Sequence, residues 1–212
     1  MRYTLLRVTA DGVVLRDLHA QRLAPEGGPA LAAFVRFAAD AAPGVYAVWC
    51  SGDDIAAEAR AGSRLFDGIP VRVARSPFAD RAGPFPKPAP PCAYDAVRAD
   101  GVATLLTSAD GAEMLEACSS AVLGWDGERF LCVPEDRPRV WSTAEQAVRA
   151  HLPYREAALP ADGAAPLLLV NAVKGPCTVA VPGRAPFPGA AVGDIERLFV
   201  RLTGRFAQGA AW

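Results

Sequence analysis

Between Pro77 and Pro91 the chain carries prolines at 77, 84, 86, 88, 90 and 91. Proline fixes φ and has no N–H, so this stretch can join neither a helix interior nor the middle of a sheet. Regular elements must lie on either side of it, and the residues inside it sit on irregular backbone. One of them is Lys87, in Pro84-Phe85-Pro86-Lys87-Pro88; of the chain's 22 basic residues only Lys87 and Lys174 are lysines. Arginine replaces lysine as a charge or phosphate partner, but not as an amine that must lose its proton to react. Lys87 is therefore a candidate for amine chemistry, the alternative being a solvent-facing loop lysine. Pro88 pushes it toward extended backbone, which suits a strand end.

Upstream of the prolines, Tyr3–Thr9 reads as a strand, Asp11-Gly12 as a turn and Val13–Leu15 as the returning strand of a hairpin. A helix is expected over Asp17–Leu23. A second is expected over Pro29–Ala42, where Leu31, Phe34, Val35 and Ala38 recur at helical spacing. Val45–Cys50 is an apolar strand that pairs with Ile55–Ala61 across Gly52-Asp53-Asp54. Phe66-Asp67-Gly68-Ile69-Pro70 punctuates the chain, dividing it into an N-terminal α/β domain (1–66) and a C-terminal domain (67–212).

The second part opens with a strand at Val71–Arg75. After the prolines come a short helix at Tyr94–Asp100 and strands at Val102–Thr107, Met114–Cys118, Ala121–Trp125 and Arg129–Val133. Ser142-Thr143-Ala144-Glu145 fits a capping box and starts a helix through His151. Strands at Leu167–Val170 and Thr178–Val181 and a closing amphipathic helix over Val192–Phe206 complete the order. Antiparallel hairpins among mixed elements point to an α+β fold.

The 212 residues are 51% apolar and 21% charged, an ordinary globular balance. A net charge of −1 leaves no electrostatic footprint for nucleic acid or an anionic membrane. No window approaches the ~18 apolar residues of a membrane span, and the first residues lack a signal-peptide core, so a cytoplasmic protein is expected. The cysteines at 50, 92, 118, 132 and 177 form no Cys-x-x-Cys pair. That argues against a metal or disulfide framework and for small buried hydrophobes.

Four segments, in order, resemble the class IV aminotransferases, the fold-type-IV pyridoxal-phosphate enzymes. Asp17-Leu18-His19-Ala20-Gln21-Arg22-Leu23 resembles the family's His-x-x-Arg-Leu element. Lys87 lies where its Schiff-base lysine is expected. Leu115-Glu116-Ala117-Cys118-Ser119-Ser120-Ala121-Val122 resembles its acidic segment, and Leu169-Val170-Asn171-Ala172-Val173-Lys174-Gly175 its strand-end signature, followed by Gly183-Arg184-Ala185-Pro186-Phe187-Pro188. The interval from Lys87 to Glu116 suits a compact bacterial subgroup. That family includes branched-chain and D-amino-acid aminotransferases and 4-amino-4-deoxychorismate lyase.

The resemblance implies a D-amino-acid-aminotransferase-like fold of two small α/β domains with the site between them, a homodimer, and pyridoxal 5'-phosphate as cofactor. Lys87 would bind the cofactor and move protons, and Glu116 would face the ring nitrogen, with Glu113 as the rival acid. Arg22 would hold the phosphate together with Ser142 and Thr143 at a helix start; the turn at Asn171 and Ala172 would add N–H groups and a polar side chain. No metal is implied. The substrate would be a small-molecule amine. The implied activity is that of a lyase releasing pyruvate from 4-amino-4-deoxychorismate to give 4-aminobenzoate, a step in folate biosynthesis. The alternatives are an aminotransferase of branched-chain or D-amino acids, and a non-catalytic relative acting as a binding or scaffold protein. The chain departs from the pattern at Ala121, where many relatives have asparagine, and at Ala144, where arginine is frequent. It departs again in the prolines flanking Lys87, and in Glu116 falling one residue further from Gly111 than is common.

Overall fold

The computed structural model describes residues 2–25, 27–61, 68–87 and 94–205. The expected hairpin is present as β1 (Arg2–Thr9) and β2 (Gly12–Val13). The returning strand is shorter than expected because Leu15 turns left-handed (φ 53°) and launches α1 (Arg16–Leu23). After α2 (Gly28–Asp40), which begins with a proline in its first turn, come β3 (Gly44–Ser51) and β4 (Asp54–Arg60). Together they form an antiparallel sheet of order β2-β1-β3-β4.

Strand alternation gives this sheet two different faces. Leu6, Val8, Val48 and Cys50 pack under the helices with Leu23, Leu31 and Phe34. On the same face Thr4 Oγ1 shares a 2.8 Å hydrogen bond with Nδ1 of the buried His19, fastening α1 to β1. Tyr3 and Leu5 point the other way.

The remaining elements are β5 (Ile69–Arg75), β6 (Ala103–Thr107), β7 (Glu113–Ala117), β8 (Ala121–Trp125), β9 (Phe130–Cys132), α3 (Thr143–His151), β10 (Tyr154–Glu156), β11 (Leu159–Pro160), β12 (Leu167–Asn171), β13 (Gly175–Ala180) and α4 (Gly189–Arg201). Their strands run in the order β10-β9-β8-β12-β13-β5-β6-β7-β11. Alternation again separates two cores. Leu123, Leu168 and Val170 face α3 and α4, meeting Val148, Ile195 and Phe199. Val122, Leu167 and Leu169 face Leu105, Met114 and Leu115 on the other side. Val14 and Leu15 of the hairpin belong to the α3–α4 core, so that core joins the two sheets. The α+β expectation is met.

The differences have local causes. Tyr94–Asp100 is a single turn, with Val97 N and Arg98 N both donating to Tyr94 O. Gly101 (φ 69°) then folds the chain back into the bridge Ala99↔Val102. β10 and β11 were not expected: three and two residues show no period, and Pro160 discourages a strand. The closing helix starts and ends earlier than expected, and its expected end, Phe206, lies outside the described residues, as do Phe66 and Asp67 of the expected boundary. Cys50, Cys132 and Cys177 are buried, but Cys118 is half-buried; Cys92 lies outside the described residues. Among the described residues no helix is long and apolar enough to cross a membrane, and no cluster of His, Cys, Asp and Glu could hold a metal.

Phe34 is fully buried at the centre of the first core. Phe34→Ala is expected to cost about 3–5 kcal/mol, read as a fall in the denaturation midpoint; a loss below 1 kcal/mol would contradict this packing.

Candidate active site

A short strap before α3 gathers the site. Arg139 is buried, and its guanidinium forks onto Glu145 (Nη2 to Oε1 2.9 Å) and the carbonyl of Val133 (2.8 Å). Glu145 also accepts from Arg149 Nε at 3.1 Å. The capping box is therefore half made. Ser142 Oγ accepts from Glu145 N at 3.4 Å, while the Glu145 carboxylate serves the two arginines.

The backbone of residues 139–141 then touches each main chemical group. Phe85 N donates to Arg139 O (3.0 Å) and Trp141 N to Phe85 O (3.1 Å), so the proline segment is laddered to the strap two residues before Lys87. Val140 N donates to Glu116 Oε2 at 3.1 Å. Trp141 O accepts from Arg22 of α1, whose guanidinium carbon lies 5.6 Å from the Trp141 ring centroid.

Arg22, Lys87, Glu116, Ser142, Thr143, Asn171 and Ala172 all line one cleft, of about 520 Å³ including its open mouth. The structure thus brings these seven residues together. Glu113 is elsewhere, paired with Arg137 at 2.8 Å. A β-bulge separates the two acids: Thr107 faces Met114 and Leu106 faces Glu116, leaving Leu115 as the extra residue. The bulge absorbs the additional residue after Gly111. Ala121 and Ala144 are both packed into the α3–α4 core.

Asn171 has a different role from the expected one. Its Oδ1 accepts from Val173 N (2.8 Å) and its amide donates to Ser119 O, so the side chain shapes its own turn. Lys174 N reaches the same oxygen at 3.4 Å, so two backbone N–H groups of that turn are already engaged. Tyr94 is a site residue that sequence reasoning missed. Its hydroxyl donates to Glu116 Oε1 at 2.9 Å, and being a lone aromatic after the proline run was its only sequence signal.

Electrostatics sharpen the picture. Burial, then the Arg22 guanidinium, brings the Lys87 amine down to about 7, with Glu116 opposing. Its Nζ lies 5.5 Å from the Tyr3 ring centroid. Burial raises Glu116 to about 7 against the hydrogen bonds from Tyr94 and Val140. Burial lowers Arg22 to about 10, so it stays a cation, and lowers His19 to about 3, so it stays neutral. Ser120 Oγ, on the cleft wall, is buried with no protein partner.

This donor set fits pyridoxal phosphate. There is an amine poised near neutrality, a carboxylate held from two sides, a fixed arginine, and the N-terminus of α3, where amide groups and the helix dipole favour an anion. The unpaired Ser120 hydroxyl supplies a further polar contact for a ligand.

No protein-family model and no curated protein matches this chain. Solved structures do. The 4-amino-4-deoxychorismate lyase of Pseudomonas aeruginosa is 17% identical, with a TM-score of 0.61, over 92% of this chain and 88% of that one. A fold IV-transaminase from Curtobacterium pusillum is 17% identical, with a TM-score of 0.61, over 94% and 84%. A hypothetical aminotransferase from Mycobacterium tuberculosis, in its PLP-bound form, is 17% identical, with a TM-score of 0.60, over 95% and 88%. The chain has their fold.

The Lys87 amine is expected to react with an acylating reagent at a rate that rises through pH 7 and levels off well below the range of an ordinary lysine, followed by peptide mapping. Because Arg22 depresses this amine, Arg22→Gln should shift the profile to higher pH; an unmoved profile would contradict the arrangement. Arg139→Ala leaves Glu145 buried with one partner fewer, and about 3–5 kcal/mol of stability should be lost in chemical denaturation.

Proposed function

We propose that this chain is a pyridoxal-phosphate enzyme acting on a small-molecule primary amine. The observation that carries the reading is the convergence of Lys87, Glu116 and Arg22 on one strap in one cleft, with the lysine amine near neutrality. When bound, the cofactor supplies an electron sink for the bond-breaking at the carbon that bears the substrate amine.

The chain's own groups do the rest. Above pH 7 Lys87 Nζ is largely neutral, so it would hold the cofactor and could accept a proton from the substrate carbon that bears the amine. Glu116, near its midpoint at neutrality and oriented by Tyr94 and Val140, holds a proton at the ring nitrogen. Arg22 and the first amides of α3, with Ser142 and Thr143, hold the phosphate. The backbone at Asn171 and Ala172 closes the opposite wall.

The finer reading is a lyase acting on 4-amino-4-deoxychorismate, with loss of pyruvate leaving 4-aminobenzoate, a step toward folate. It is supported by the likeness to the Pseudomonas lyase and by the Asn171-Ala172-Val173-Lys174-Gly175 segment. The second reading, an aminotransferase of branched-chain or D-amino acids, is supported by the likeness to the transaminases and shares the Lys87 proton step. We also propose a cytoplasmic homodimer, with the cleft between domains 1–66 and 67–212. Val73, on a strand inside the large sheet, is 53% exposed, an apolar face that a second copy would cover.

The test is incubation with pyridoxal phosphate, near-visible spectroscopy, borohydride reduction and peptide mapping. A new absorption band and a label fixed on Lys87, both lost in Lys87→Ala, are expected. No band, or a label on Lys174, would overturn the proposal and favour a binding or scaffold role. Pyruvate release from 4-amino-4-deoxychorismate, as against amino transfer to a keto acid, separates the two readings.

A further inference from the structure

The strap that builds the lysine cleft has an outer side. Val140 and Ser142 line the cleft, but Trp141 between them lines a separate groove on the outside, of about 730 Å³ including its open mouth. Its other walls are Gln21 and Arg22 of α1, Pro25 just beyond that helix, and the run Pro84-Phe85-Pro86. Arg22 is the one residue that lines both the groove and the lysine cleft.

Two side chains in this groove have capacity that the fold does not use. Trp141 holds the strap through its backbone, its N donating to Phe85 O at 3.1 Å and its carbonyl accepting from Arg22. Its half-buried indole packs into none of the three apolar cores, so the ring offers stacking surface that folding leaves open. Arg22 carries five N–H donors, and among the described residues its one hydrogen bond is to the Trp141 carbonyl. No carboxylate is among the groups that act on it most, which are the Tyr3 and Tyr94 hydroxyls. No acid lines the groove either, and the Gln21 amide adds a neutral donor on its exposed rim.

We propose that this outer groove is a second ligand site, taking a small aromatic monoanion whose ring stacks on Trp141 and whose charge pairs with Arg22. An indole and a wall of prolines favour a flat apolar ring, and one unpaired guanidinium with no acid nearby favours a single negative charge. The proposal stands apart from the amine chemistry at Lys87, because nothing in it requires that chemistry. The shared arginine nevertheless couples the two places. Lys87 lies among the charges of Arg22, Glu116 and Arg98, and Arg22 is the cation that acts on it most. An anion bound outside offsets that charge and makes the Lys87 amine easier to protonate, so the groove is placed to regulate the cleft without entering it.

The test is calorimetry on the full chain with benzenesulfonate, its neutral amide benzenesulfonamide, and methanesulfonate, which keeps the charge but lacks the ring. Benzenesulfonate is expected to bind at least tenfold more tightly than either control; equal or absent binding would overturn the proposal. Gln21→Glu places a negative charge on the exposed rim of the groove, and Trp141→Leu removes the ring. Each should weaken benzenesulfonate at least tenfold, while Ser120→Ala, on the wall of the lysine cleft, should not. The reverse pattern would put the anion beside Lys87 and sink the outer site. Circular dichroism shows whether Trp141→Leu is folded; should it not be, Gln21→Glu decides alone. Saturating benzenesulfonate should also slow acylation of Lys87 at pH 7 in the unaltered chain and not in Gln21→Glu at the same concentration. A rate that does not change in the unaltered chain would overturn the pairing with Arg22. If benzenesulfonate does not bind and Gln21→Glu instead breaks a dimer seen by sedimentation, the groove belongs to a second copy and the ligand site is wrong.

Discussion

The cleft depends on one buried ion pair. Arg139 and Glu145 are both almost wholly out of water, and two opposite charges so placed repay their desolvation only when geometry is good and the remaining valences are filled. Here Val133 O and Arg149 take up most of them, and Arg139 Nε is left without a protein partner. The pair fixes the backbone between Arg139 and the first turn of α3, and that backbone presents an N–H to Glu116, a carbonyl to Arg22 and a two-bond ladder to Phe85. The strap reaches Glu116, Arg22 and the segment before Lys87 through its main chain. The ion pair is then a device of precision more than of stability.

Burial does the electrochemical work around that frame. Lys87 and Glu116 are moved from opposite ends of the pH scale toward the same value. Desolvation is the largest cause for both, raising an acid and lowering a base. Arg22 adds to the effect on the lysine while remaining charged itself. The cleft therefore holds one permanent cation and two groups that exchange protons near neutrality, the division of labour that anion binding together with proton transfer requires.

Much of this was legible in the sequence, for reasons that differ by residue. Ala121–Trp125 and the Ser142 cap were readable because strand alternation and capping are local rules. Arg22, Lys87, Glu116 and Asn171 were readable through ordered resemblance, although they are far apart in sequence. What escaped was non-local. That Glu145 would leave the capping box for Arg139 depends on a partner across the strap. That Tyr94 would reach Glu116 depends on a turn after six prolines, and that Asn171 would be consumed by its own turn depends on Ser119 beside it. The spacing oddity before Glu116 was visible as a number; only strand pairing identifies it as a bulge at Leu115.

Leu5 lies on the first strand made, Arg22 on the first helix, and Asn171 at the turn of the last hairpin, yet all three line the same cleft. During synthesis, then, all four strands of the first sheet are made long before the cleft can be complete. Its Leu5 face waits, uncovered, until β12 leaves the ribosome. Completion of the cleft is a late event in the synthesis of this chain, and a product interrupted before β12 would lack the wall that Asn171 and Ala172 supply.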